Sequence, residues 1–100
     1  MNHISNTLDD VLLERIRQEK LKAEGRFAYT CADQEMHPCE KLAVLSEEVG
    51  EVARALLELM RLANDTHGMD LRAELIQVAA VAVAWVESID RAMVLRGDDE

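Results

Sequence analysis

Hydrophobic residues recur along this chain at intervals of three and four, the spacing of one face of an α-helix, in three separate stretches. In the first, Leu8, Val11, Leu12 and Ile16 form one stripe, and Arg15, Arg17, Lys20 and Lys22 lie mostly off it. Asn6 or Thr7 can cap this helix, Asp9 and Asp10 suit the positive end of its dipole, and Gly25 ends it; the pattern predicts a helix over Leu8–Glu24. In the second, Leu42, Leu45, Val49, Val52, Leu56, Leu59 and Met60 mark a core face on a helix from Pro38, which fits a first turn, to Ala63. Asn64-Asp65-Thr66-His67-Gly68 reads as a connector, and Asp70 as the cap of a third helix that reaches Leu95. Between the first two helices, Arg26 to His37 has no clear period, and its Phe27 and Tyr29 are expected to pack onto the helices.

The third helix constrains the architecture most. From Leu75 to Val86 it is apolar on nearly every side except at Gln77. A helix that is hydrophobic all round is buried all round, and two other helices cannot easily surround it. Either a second copy meets its Ala- and Val-rich faces, giving a homodimer or homotetramer, or the segment Arg26–His37 covers its open side. The expected fold is therefore all-α. It is one domain over residues 1–100 with a core from about 8 to 95 and flexible ends, its three helices forming a four-helix-bundle-like core through oligomerisation.

Composition agrees with helices: 49% of the residues are hydrophobic but only 3% aromatic, with 4 Gly and 1 Pro. The net charge of −9 argues against nucleic-acid binding, which needs a basic surface to neutralise phosphates. It leaves room for a phosphorylated small molecule, because bound divalent cations reverse the local charge of an acidic site. The first residues carry no basic stretch leading into an apolar one, and the longest apolar run, Val78–Val86, falls short of the roughly 20 residues a membrane helix needs. A cytoplasmic protein with no membrane segment and with reduced thiols at Cys31 and Cys39 is the expectation. Those cysteines with His37 form no CxxC pair and lack a fourth ligand for zinc.

The candidate chemistry lies in the glutamates. Glu47, Glu48 and Glu51 fall within one turn of the second helix, where residues three and four apart are neighbours and like charges repel. A hard divalent cation converts that repulsion into attraction, and Mg²⁺ selects oxygen ligands. Glu74 and, one turn later, Gln77 begin the third helix; if the second and third helices pack antiparallel, these residues oppose the Glu47–Glu51 turn. The plainer alternative is a solvated acidic face, since Glu40, Glu47, Glu51 and Glu58 form a loose stripe with Arg54 nearby.

Glu47-Glu48-x-x-Glu51 followed by Glu74 resembles the signature of the MazG-like nucleoside triphosphate pyrophosphohydrolases, which is EExxE, a variable spacer, then ExxD. Leu45-Ser46 before the first element and Leu75 to Ala80 after Glu74 fit as well, and Glu14-Arg15-Ile16-Arg17-Gln18 is similar to an element of the first helix in short, single-domain members. The resemblance covers about residues 8 to 95. It implies hydrolysis of an NTP or dNTP between the α- and β-phosphates, giving the monophosphate and pyrophosphate. It further implies Mg²⁺, or Mn²⁺, held by Glu48, Glu51, Glu74 and Gln77, with Glu47 orienting or deprotonating the attacking water. Arg15, Gln18 and Lys41 are the substrate-binding candidates, and Arg17 and Lys20 are further candidates for a phosphate clamp.

One position departs from the family pattern. Gln77 stands where the second element has Asp; its amide oxygen can coordinate a cation but brings no charge, so weaker metal binding, a changed metal preference or slower turnover is expected. Gln77 is alternatively a buried amide tying helices together. The departure also keeps a second function open: a catalytically weakened or inactive module that binds nucleotides or docks a partner through its helix faces. A coiled-coil interaction domain fits less well, since Pro38 and the turn-forming run Asn64–Gly68 interrupt a long heptad pattern.

Overall fold

In the computed structural model, which describes residues 2–62 and 65–97, three helices account for most of the chain: α1, His3–Ala23; α2, Pro38–Leu62; and α3, Asp65–Arg96. No strand occurs among the described residues. The fold is all-α, as the hydrophobic spacing predicts.

The helix ends differ from expectation in two places. Helix α1 starts more than a turn early, because Asn2 is the cap: its side-chain oxygen accepts from the Ser5 N–H at 2.8 Å. Ile4 then extends the stripe through Leu8, Leu12 and Ile16. Helix α3 begins at Asp65, so Asp65 to Gly68 are helical and Asp70 lies inside the helix. A single glycine near a helix end costs only about 1 kcal/mol against alanine, and packing further along overrides it. The expected end of α2 at Ala63 and start of the connector at Asn64 lie outside the described residues, as does the tail 98–100.

Other ends follow the residues closely. At Gly25, in the left-handed region at φ 79°, the Arg26 N–H donates to the Leu21 carbonyl and the Gly25 N–H to that of Lys22, closing α1 in a Schellman motif. At the start of α2 the His37 N–H donates to Glu40 Oε1 while His37 Nδ1 accepts from the Cys39 N–H, a capping box with Pro38 at the first helical position.

Helix α3 is the spine. It packs on both α1 and α2, and those two do not pack on each other. Lys41 reaches Ser88, and Val44 and Leu45 lie against a cluster containing Val81 and Ala84, so α2 and α3 run antiparallel. Asp10 pairs with Arg72 and Arg15 with Glu87, so α1 runs in the same general direction as α3. The segment Glu24–His37 enters the gap this leaves. Cys31 and Ala32 from that segment join Val81 and Ala84 as the buried core, with Met36, Val44 and Leu45 packed around them.

The faces turned inward match the apolar stripes only in part: Val11 on α1 and Leu45, Val52 and Leu59 on α2 face in as expected, and the rest of each stripe faces out. On α1 the buried residues are Val11 and Arg15, while Leu8, Leu12 and Ile16 are exposed. On α2 the inward face is Lys41, Val44, Leu45, Glu48, Val52, Ala55 and Leu59; Leu42, Val49, Leu56 and Met60 face out. Helix α3 is covered on one side by the inserted segment and leaves Leu75, Val86 and Ile89 open. No large side chain among the described residues is fully buried. The core is small because α2 and α3 each have two apolar faces and one chain fills only one of them.

Candidate functional site

Glu48 sits on the inward face of α2, where it meets the start of α3. Its carboxylate oxygen Oε2 is buried without a hydrogen-bond partner, the one such side-chain atom among the described residues. Buried polar atoms are nearly always paired, because stripping water from an unpaired one costs about 1–3 kcal/mol. Burial, and then the neighbouring charges of Glu74, Glu51, Glu14 and Glu47, push the Glu48 carboxyl above the usual carboxylate range. The antiparallel packing of α2 on α3 thus brings Glu74 opposite the Glu47–Glu51 turn, and α1 adds a fifth carboxylate, Glu14, absent from the sequence-based set.

The donors are hard oxygens, the kind Mg²⁺ and Mn²⁺ prefer. A buried, partnerless carboxylate oxygen surrounded by like charge is an arrangement that a divalent cation relieves, so the residues suit such an ion in chemistry and charge. Their side chains are not gathered around one point: among the described residues no three acidic, His or Cys side chains converge as a metal site. Glu51 is turned to Arg54, which donates to its Oε2 at 2.8 Å, and Glu47 is exposed. Gln77 is half-buried, and no hydrogen bond ties its amide among the described residues. That favours an amide free to turn to a ligand over one holding helices together.

Two cavities flank this cluster. One, of about 250 Å³, opens where α1 and α2 stand apart; Glu14, Arg17, Gln18, Glu48 and Gln77 line its polar side. Phe27 and Tyr29 line it too, 43% and 49% exposed instead of packed onto the helices as expected. The second, of about 400 Å³, shares Glu14, Arg17 and Gln77 with the first and adds Asp10 and Arg72.

The basic candidates divide sharply. Arg15, 6% exposed, lies on the packed face of α1. Its Nε and one terminal nitrogen donate to both oxygens of Glu87 at 2.7 and 2.9 Å, the same terminal nitrogen donates to Glu19 at 2.8 Å, and the other to Gln18 Oε1 at 3.0 Å. Those carboxylates hold its guanidinium charged well above the usual range. Lys41, 3% exposed, donates to Ser88 Oγ at 2.6 Å. Both are thus engaged inside the fold. Lys20 is exposed and outside both cavities. Arg17, paired with Glu14 at 3.2 Å, and Arg72, paired with Asp10 at 2.6 Å, are the arginines that line cavities.

The Arg15 network also fastens the inserted segment. Thr30 Oγ1 donates to Glu19, Asp33 accepts from the Thr30 N–H and from Lys22 at 2.7 Å, and Arg91 donates to the Ala32 carbonyl. Burial would raise the carboxyls of Glu19 and Asp33, but hydrogen bonds from Arg15 and Thr30, and from Lys22 and the Thr30 backbone, outweigh it and hold both below the usual range.

Arg72 has no place in the sequence reading, while Glu14 enters it only within the first-helix element and Phe27 and Tyr29 only as packing residues, none of them as part of a site. For the two aromatics the signal was compositional: two of the chain's three aromatic residues stand close together in the segment without periodicity. No helix among the described residues is long and apolar enough to cross a membrane. Comparison with protein-family models, with curated proteins and with solved structures gave no match to this chain.

Proposed function

We propose that this protein is a metal-dependent nucleoside triphosphate pyrophosphohydrolase of the MazG-like type, converting an NTP or dNTP to the monophosphate and pyrophosphate. The observation that carries this reading is Glu48: a carboxylate oxygen buried without a partner, beside four other glutamates and at the wall of a cavity. Glu48, Glu51 and Glu74, with the Gln77 amide, would hold Mg²⁺ or Mn²⁺. When bound, such an ion neutralises phosphate charge and lowers the pKa of water. Glu47, exposed beside the cluster, serves to orient the attacking water and accept its proton. Arg17 and Arg72 supply the positive charge for the phosphates in place of Arg15 and Lys41, since charge stabilisation dominates phosphoryl chemistry. Glu14 and Asp10 hold those two guanidiniums at the cavity walls until phosphate replaces them.

The working form in this reading is a homodimer or homotetramer. Support comes from the outward rows Leu42, Val49, Leu56 and Met60 on α2 and Leu75, Val86 and Ile89 on α3, which fall on coiled-coil-like spacing and stand exposed in one chain. A cytoplasmic location is consistent with the thiols and the substrate.

The second reading, a module that binds nucleotides without cleaving them, is favoured by one observation: the acidic side chains do not converge, and Gln77 lacks the charge that would draw them together. One experiment separates the two. Common and modified NTPs and dNTPs are incubated with Mg²⁺ or Mn²⁺, and pyrophosphate and monophosphate are measured separately. Metal-dependent pyrophosphate release, lost in Glu51→Ala with helicity unchanged, supports the enzyme. Absence of turnover from a folded protein that still binds nucleotide supports the module.

A further inference from the structure

The cavity between α1 and the inserted segment has a feature that bears on which ring it takes. Its volume of about 250 Å³ lies below the roughly 300–1,000 Å³ of sites that enclose whole drug-sized ligands. It suits a single planar heterocycle with the rest of the ligand outside. Phe27 and Tyr29, exposed at the cavity, offer π-faces of the kind on which a base stacks, a contact that is tolerant of base identity. Discrimination has to come from polar groups in the wall.

Glu48 and Gln77 on this wall belong to the ligand set proposed above, Glu14 and Arg17 pair with each other, and Thr30 and Cys31 of the inserted segment are engaged within the fold. Thr30 Oγ1 donates to Glu19 and accepts from the Ala32 N–H. The Cys31 thiol donates to Met36 Sδ at 3.7 Å. Gln18 is different. Its Oε1 accepts from Arg15, and arginine has no acceptor, so the amide cannot turn over: the oxygen stays on Arg15 and the NH₂ group is the end left free. Arg15 is itself fixed by both oxygens of Glu87 and by Glu19. The wall therefore presents a donor of fixed orientation beside two aromatic rings.

We infer that this cavity is a nucleobase pocket in which Gln18, oriented by Arg15, donates a hydrogen bond to a ring oxo group, so that the protein prefers oxo-bearing bases (uracil, thymine, guanine, hypoxanthine) over adenine. Phe27 and Tyr29 stack on the ring whatever its substituents. A base with an amino group at the corresponding position meets a donor with a donor, and one buried group is left unpaired. A site built to hydrogen-bond a substrate group rejects analogues that lack it far better than apolar contacts do. The pocket deepens the nucleotide reading and rests on it, and its test uses binding alone, without metal or turnover.

The full-length chain, free of metal, is titrated with inosine and with adenosine, which differ chiefly in an oxo against an amino group, and backbone amide NMR shifts are followed. Inosine is expected to bind tenfold or more tightly, about the worth of one hydrogen bond gained and one left unmade, with shifts centred on Gln18 and Phe27–Cys31. Gln18→Glu keeps an acceptor for Arg15 and removes the donor, so it should erase or reverse the inosine preference. Tyr29→Leu should weaken both nucleosides alike and leave their ratio unchanged. Equal affinities in the wild type, a preference that survives Gln18→Glu, or no binding of either nucleoside overturns the assignment. If the nucleoside preference holds and no triphosphate is hydrolysed, the pocket stands and the hydrolase reading falls. Hydrolysis without any base preference has the opposite meaning.

Discussion

Replacing Glu48 by glutamine should make the metal-free protein more stable while making it insensitive to metal. In the wild type the charges of Glu74, Glu51, Glu14 and Glu47 all act against ionised Glu48. Like charges at neighbouring helix positions cost a few tenths of a kcal/mol each when exposed, and the cost grows where burial lowers the effective dielectric. Four such terms at a half-buried site come to about 1–2 kcal/mol. The partnerless Oε2 adds a desolvation cost, much of which glutamine keeps because its amide is polar too. A net gain of about 1–2 kcal/mol follows, which in a domain of this size raises Tm by roughly 5–10 °C. The sign with pH is definite. Because the Glu48 carboxyl titrates above its ordinary value in the folded chain, the wild type loses stability as pH rises through that raised value. The advantage of the variant is thus full at neutral pH and vanishes in acid, where the wild-type group is protonated and resembles the amide. The assay is thermal unfolding by far-UV circular dichroism in chelator, at fixed protein concentration, then with rising Mg²⁺ or Mn²⁺. A metal that binds only the folded state adds about 2.7 kcal/mol at a hundred times its Kd, so the wild type should overtake the variant. A variant no more stable than wild type in chelator, or equally stabilised by metal, would refute the electrostatic account of this cluster.

Gln77→Asp should act in the opposite direction, raising Mn²⁺ affinity about tenfold in calorimetric titration and lowering metal-free stability by roughly 0.5 kcal/mol through added like-charge repulsion; unchanged affinity would place the amide outside any ligand set. Arg15→Ala leaves Glu87 and Glu19 without their shared partner. Removing one partner of a buried pair costs about 3–5 kcal/mol, and with Glu87 partly exposed to solvent roughly 2–4 kcal/mol is expected, read as a lower urea midpoint with little change in m. Val49→Glu combined with Val86→Glu should disperse a homo-oligomer to monomers in light scattering while leaving the helix content in place, and a wild type that is monomeric at micromolar concentration would remove the oligomer from the proposal.

The helices were legible in the sequence because their signals are local. Three- and four-residue spacing, Pro38 and Gly25 each act within a turn or two, and the ends they mark lie close to those observed. The misplaced ends have local reasons as well: Asn2 competes with Asn6 and Thr7 as a cap, and a run of turn-forming residues does not outweigh the packing of a long helix. The direction each face points was legible only in part. Leu8, Leu12 and Ile16 on α1 form the stronger stripe, yet Val11 and Arg15 take the inward position. The deciding contact is Glu87, far away in sequence, and no periodicity carries that information. The same holds for the site: the glutamate spacing could be read from one helix, whereas the contribution of Glu14 and Arg72 depends on how α1 lies along α3.

One physical circumstance links the inserted segment to the acidic cluster. Helices α1 and α2 do not pack on each other, so the gap between them is filled by Cys31, Ala32 and Met36 on one side and left as a cavity on the other. Filling the whole gap with apolar side chains would give a larger core, which this chain lacks. The gap instead keeps Glu48, Gln77 and Arg17 at a wall open to ligand, and it does so only while the segment is held in place. That holding falls to charged groups: Lys22 on Asp33, Arg15 and Thr30 on Glu19, Arg91 on the Ala32 carbonyl. Glu19 and Asp33 contribute stability above their unfolded-state pKa values and lose it as pH falls through the depressed folded ones, the reverse of Glu48. Acid therefore relaxes the repulsion at the cluster and loosens the segment that walls the cavity. The two effects fall in separate ranges, since Glu48 titrates above the ordinary carboxylate value and Glu19 and Asp33 below theirs. On acidification the repulsion at the cluster relaxes first, and the segment that walls the cavity loosens only at lower pH.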